Sequence, residues 1–120
     1  MILHIIGRAD WAHAQATGIH RAASLADEGF THCSDPGTVH LPAQAIYAGR
    51  TDLLLLEIDP ARVGAPVRWE PAAPPQPVPL LFPHVYGPIP VDAVVAVHDF
   101  PPAEDGTFHL PAALAELGTT

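Results

Sequence analysis

Proline sets the strongest limit on what this chain can fold into. Fifteen of its 120 residues are Pro. Each one fixes φ and removes a backbone donor, so proline belongs in first turns, edges and loops. The elements between prolines must therefore be short. Five of the fifteen fall within Pro71–Pro79. That stretch can be neither a helix nor a central strand and reads as a loop beside whatever the neighbouring strands carry.

Patterning fills in the rest. Leu3–Ile6 reads as a strand, apolar on both faces and so central. Ala9–Thr17 reads as a helix with Trp11 and Ala14 on one face and Gly18 as its stop. His20–Gly29 reads as an irregular approach ending in a turn at Asp27-Glu28-Gly29. Phe30–Ser34 alternates like a strand. Ser34-Asp35-Pro36 then looks like a helix start with Ser34 as its cap. Val39, Ala43, Ile46 and Tyr47 follow at helical spacing, with a kink expected at Pro42 and a close at Gly49.

Asp52–Asp59 is a buried strand, and Val67–Glu70 and Phe82–Tyr86 are short ones. Val91–Phe100 should be the longest, and Pro111–Leu117 a C-terminal helix. Five or six strands and three helices that do not alternate regularly give an α+β fold with a mostly antiparallel sheet. No repeat or linker divides the chain, so residues 1–120 read as a single domain.

Apolar residues make up 48% of the chain. A chain of this length buries roughly two-thirds of its unfolded surface, enough for an ordinary core without a metal or disulfide staple. The formal charge is −8, and all five basic residues are Arg. That argues against tracking an extended nucleic acid or adsorbing to an anionic membrane, but leaves room for one nucleotide held by an Arg. The absence of Lys excludes a Lys nucleophile or Schiff base. One cysteine and a short apolar N-terminus without a basic lead fit a cytoplasmic protein.

Eight histidines make imidazole the chemistry to follow. His4, His32 and His84 each lie inside a strand-like segment, flanked at i±2 by Ile2 and Ile6, Phe30 and Ser34, and Phe82 and Tyr86. If those strands are neighbours, three imidazoles converge with Ser34 and Tyr86 on one cleft. Taken singly, each is more at home as a core or edge histidine satisfied by one hydrogen bond. There is no His-x-His, His-Glu-x-x-His or Cys-x-x-Cys motif, so a metal site would need ligands from separate strands. Cys33 follows His32, but adjacent strand residues point to opposite faces, so His32 cannot be its base. Glycine-rich phosphate fingerprints are absent. Ser34-Asp35-Pro36-Gly37 could seat an anion at a helix start, though a plain cap is the commoner use. Glu70, ending Val67-Arg68-Trp69-Glu70, is a carboxylate placed to steady positive charge on a sugar, or simply a solvated strand end.

Gly29-Phe30-Thr31-His32-Cys33-Ser34, Asp52–Asp59, Val67–Glu70 and Phe82-Pro83-His84-Val85-Tyr86-Gly87-Pro88-Ile89-Pro90 occur in that order. They follow an opening strand with His4 and the segment Arg8-Ala9-Asp10-Trp11. Together they resemble a bacterial family of small uncharacterised proteins, domain of unknown function 952, over about residues 1–100. Pro42 and the proline-rich Pro71–Pro79 segment depart from the family pattern.

The family's fold is similar to that of the ADP-ribosyltransferase group, which includes RNA 2′-phosphotransferases. The resemblance thus implies a split antiparallel sheet and a cleft that takes NAD. It also implies His4 as the first-strand histidine that contacts ribose or the nicotinamide amide. Glu70 is a candidate for the carboxylate that binds the nicotinamide ribose. His32, Ser34, His84 and Tyr86 match motifs to which no role is attached.

On that analogy NAD lies near His4 and Ser34, Arg8 pairs with the pyrophosphate, and Glu70 stabilises an oxocarbenium-like ribose. His32 or His84 is then the base. Tyr86 completes the set of cofactor-contacting residues. Two other readings stay open: a non-enzymatic small-ligand-binding module, and a metal-binding histidine cluster.

Overall fold

The computed structural model describes residues 1–72 and 80–115. It is an α+β fold of antiparallel strands and three α-helices. One three-stranded sheet has the order β1 (Ile2–Gly7), β4 (Leu53–Ile58), β8 (Val94–Asp99). A second has the order β3 (Thr31–His32), β6 (Leu81–Val85), β5 (Val67–Pro71). A third is a minimal pair, β2 (Ile19–His20) with β7 (Ile89–Pro90). Among the described residues the eight strands exceed the five or six expected, because two-residue strands leave no period to read.

The first sheet forms from the apolar runs. Leu53–Leu56 is a continuous run, so β4 buries side chains on both faces and takes the centre of the ladder. One face packs with Cys33, Val85 and Ile89 into a core between the sheets. The other packs with Val39, Ala43, Phe100, Phe108 and Leu114. β1 is also buried on both faces, yet it lies at the end of its ladder rather than at the centre. Its free edge is closed by Ser34, whose N–H and C=O both bond Leu3 at 2.7 Å. Beyond His32 the chain also gives the Cys33 N–H to Pro83 C=O, then crosses to β1 at Ser34. The two three-stranded sheets thus touch at one bridge and diverge from it.

Helix α1 (Arg8–Thr17) stops at Gly18, whose φ of 87° is open to glycine and costly for other residues. The stretch expected to be irregular, His20–Gly29, instead contains β2 and a short helix, α2 (Ala23–Glu28), ended by Gly29. α3 (His40–Ile46) begins later than the sequence implied. Ser34 is no cap, because α3 begins six residues later with Val39 at its cap position, and the Ser34 backbone is committed to Leu3. Asp35 starts the turn instead, accepting the Thr38 hydroxyl at 2.9 Å on its side chain and the Thr38 and Val39 N–H groups on its carbonyl. Pro42 therefore sits in the first turn, where no kink is required. The Thr38 carbonyl it would have met takes Leu41 N–H at 3.0 Å.

β8 is also shorter than Val91–Phe100. Val91–Ala93 is a 3₁₀ turn, and the ladder shifts register between Glu57 and Ile58 opposite it. At the C-terminal end, Ala112–Leu114 is a 3₁₀ turn. Residues 116–117 of the expected Pro111–Leu117 helix, and most of the Pro71–Pro79 segment, lie outside the described residues. Among the described residues no helix is long and apolar enough to cross a membrane.

Candidate functional site

Where the two sheets diverge, a cleft of about 550 Å³ opens. β1 and the β3–Ser34 segment form its back, α2 and α3 its sides. Its size falls within the range of small-molecule sites. Four histidines line it: His4, His20, His32 and His84.

His4 comes from the middle of β1, in a strand whose other members are apolar or Gly. Its Nδ1 lies 2.6 Å from the His32 carbonyl, and its Nε2 lies 3.2 Å from Nε2 of His20. Burial, and then the neighbouring His20, pull the His4 imidazole down to about 4. Burial also lowers His20, against the opposing pull of Asp10. The pair is therefore neutral at pH 7.

His84 comes from β6, directly opposite His32 on β3 and Arg68 on β5. It is 2% exposed. Its Nδ1 lies 3.0 Å from Oε1 of Glu70, which also accepts the Tyr86 hydroxyl at 2.5 Å. Those two donors hold the Glu70 carboxyl below its ordinary range, Tyr86 contributing most, and the same bond raises Tyr86. The Phe30 ring stacks on His84 at 4.0 Å and 15°. His84 is thus held from its side and its face. Among the described residues its Nε2 is buried without a hydrogen-bond partner. Buried polar atoms are nearly always bonded, so this one, on a residue that lines the cleft, calls for an explanation.

The structure brings His4, His32, His84 and Ser34 together in this one cleft. His32 is tied at Nε2 to Glu28 at 2.7 Å. Glu70 and Tyr86 are not lining residues and reach the cleft only through His84. Arg8 is elsewhere. It opens α1 as the chain turns away from β1, and its guanidinium bonds Asp99 at the end of β8. The arginine at the cleft is Arg50, engaged at two points by Asp52 (2.9 and 2.6 Å) and lying over the Tyr47 ring. Arg50, Tyr47, Asp10 and His20 were not singled out from sequence. The signal for His20 lay only in its imidazole, since a two-residue strand has no alternation to read.

Cys33 also borders the cleft, but burial pushes its thiol up to about 12, which removes it as a nucleophile. Among the described residues, no group of three or more His, Cys, Asp or Glu side chains is placed to hold a metal ion.

Comparisons with known proteins give the family and the fold. The model of a family of proteins of unknown function, DUF952, matches residues 5–97. The crystal structure of protein CC0527 from Caulobacter crescentus is 27% identical, with a TM-score of 0.80 over 99% of this chain and 98% of that one. Its solution NMR structure is 28% identical, with a TM-score of 0.76 over 99% and 97%. No curated protein matches the chain. The family match spans His32 and His84 and their strands, and the chain belongs to the DUF952 family of proteins of unknown function.

Proposed function

We propose that the cleft binds a nucleotide of the NAD or ADP-ribose class and that His84 is the group poised for chemistry on it. One observation carries this reading: an oriented imidazole whose inner nitrogen is buried in a cleft wall with no partner among the described residues. The cleft volume, the apolar walls and the few convergent polar groups are those of a small-molecule site. The choice of NAD rests on the family's resemblance to ADP-ribosyltransferases, which is analogy from fold.

The roles differ from those the sequence implied. Glu70 is engaged by His84 and Tyr86, so it acts as a positioning residue rather than on the sugar. It holds the Nδ1 proton of His84 and leaves Nε2 as the base. In a transfer step, Nε2 takes the proton of an acceptor hydroxyl. The acceptor oxygen then bonds to the ribose carbon, and nicotinamide departs with the electron pair of the broken C–N bond. His4, both of whose ring nitrogens are taken, orients His20; Ser34 contacts the ligand, while Arg50 replaces Arg8 as the cation at hand.

Binding without turnover is the second reading. It is favoured by the charges at the cleft, where Asp10 and Glu28 stand against an Arg50 already paired with Asp52. Calorimetry with NAD, ADP-ribose and nicotinamide, alongside an assay for nicotinamide release, tests both readings. We expect heat with at least one ligand, its loss in His84→Ala, and binding without release in Glu70→Gln. No heat with any of the three ligands would falsify the proposal. Binding with no release in the wild type leaves the binding module.

A further inference from the structure

We infer that the histidine wall of the cleft is an array of hydrogen-bond acceptors, so that the end of the ligand it takes is a neutral donor such as a primary carboxamide, not a carboxylate or phosphate. This deepens the preceding proposal and rests on the cleft being the ligand site.

Tautomers follow from the geometry. A backbone carbonyl can only accept, so the 2.6 Å contact with His32 C=O places a proton on His4 Nδ1. Neutral imidazole carries one N–H, so His4 Nε2 is a lone pair. His20 Nε2, 3.2 Å away, must then donate to it. That uses the single N–H of neutral His20 and leaves its Nδ1 as a lone pair, with no donor to it among the described residues. On the other wall, ionised Glu70 likewise only accepts, so His84 Nδ1 carries a proton, and in the neutral ring Nε2 is the lone pair. Two fixed lone pairs, on His20 and His84, thus belong to residues lining one cleft.

The charged groups reinforce this polarity. Asp10 and Glu28 are further acceptors, and the fork of Arg50 is filled by Asp52. A ligand N–H satisfies the lone pair of His20 and the acceptor hydroxyl that of His84, which is otherwise buried and unmatched among the described residues, whereas an anionic oxygen meets lone pairs and carboxylates. Discrimination of this kind is large, because the wrong ligand leaves buried polar groups unpaired.

Nicotinamide and nicotinate test it, since they share a ring and differ only in amide against carboxylate. By calorimetry at pH 8, above the ordinary imidazole range, nicotinamide should bind roughly tenfold tighter than nicotinate, or more. His20→Ala should shrink that ratio. Equal or tighter binding of nicotinate overturns the inference while leaving the nucleotide site standing. No binding of NAD, ADP-ribose or nicotinamide removes both. Long-range ¹H–¹⁵N spectra of the wild-type histidine rings provide a check without variants. Protons on His4 Nδ1, His20 Nε2 and His84 Nδ1 are expected. A proton on His4 Nε2, or on His84 Nε2 in place of Nδ1, overturns the inference whatever binds.

Discussion

The two three-stranded sheets are built on opposite principles. In β1-β4-β8, β1 and β4 are almost unbroken apolar runs buried on both faces. In β3-β6-β5, residues alternate. Val85 and, just past β3, Cys33 join the core, while Phe30, His32, His84 and Tyr86 cluster on the other side with Glu70 and Arg68. The first sheet contributes stability and sends one polar side chain, His4, to the cleft. The second contributes less packing and nearly all the polar chemistry. The cleft lies where His4 of the one meets the polar face of the other. A rigid apolar sheet can hold an imidazole in a fixed tautomer, and an alternating sheet can present one whose second nitrogen is free.

The contrast can be broken most forcefully in the first sheet. Leu56 is fully buried, and Leu56→Ala should cost about 2–5 kcal/mol in urea unfolding. Leu81, half exposed at the end of β6, should tolerate Ala within about 0.5 kcal/mol. Equal losses would mean that the second sheet carries more of the stability than its packing implies.

His4 gives the next effect. Its folded pKa of about 4 lies below the ordinary 6.5, so the unfolded chain binds the extra proton between those values. Stability should therefore be unaffected by His4 above pH 6.5, fall as pH drops toward 4, and lose roughly 3 kcal/mol from this group in total. His4→Gln should flatten that slope in denaturant titrations across the window. An unchanged slope would show that His4 is not the buried neutral imidazole described.

A smaller effect concerns the second sheet. The Glu70 carboxylate raises Tyr86, so in Glu70→Gln the phenol should ionise at lower pH than in the parent. Tyr47→Phe as background isolates the signal in a spectroscopic titration, because Tyr47 is the only other tyrosine. No movement would break the Glu70–Tyr86 link.

The smallest effect is at Ser34. A helix cap would lose about 1 kcal/mol on Ser34→Ala. Ser34 instead holds β1 through its backbone alone, so the change should be near zero. A full cap-sized loss would contradict the bridge.

What could be read from sequence follows the same division. The runs Leu3–Ile6 and Leu53–Leu56 announced β1 and β4, because an apolar run bounded by turn residues has few other uses. The alternation around His32 and His84 put both imidazoles on one side of their strands, and they do line one cleft. α2 was not legible. Only Leu25 is a large apolar residue in Ala23–Glu28, and no residue of that helix is fully buried, so no period stands out. β2 was hidden for another reason: its two residues are strands only because Ile89 and Pro90 arrive from far along the chain. The Glu70–His84 contact depends on hairpin register, which places Glu70 diagonally from His84. The intervening proline-rich segment supplies no turn motif that would fix that register.

The central claim is that the histidine cleft is the ligand site. A ¹H–¹⁵N titration of the full chain with ADP-ribose and NAD tests it most directly, because every backbone amide around the cleft reports separately. Saturable shifts should concentrate at His4, His20, Ser34, His84 and Arg50, and should vanish in His84→Ala while that variant stays folded. Shifts clustered elsewhere, or spectra unchanged at saturating ligand, would contradict the account.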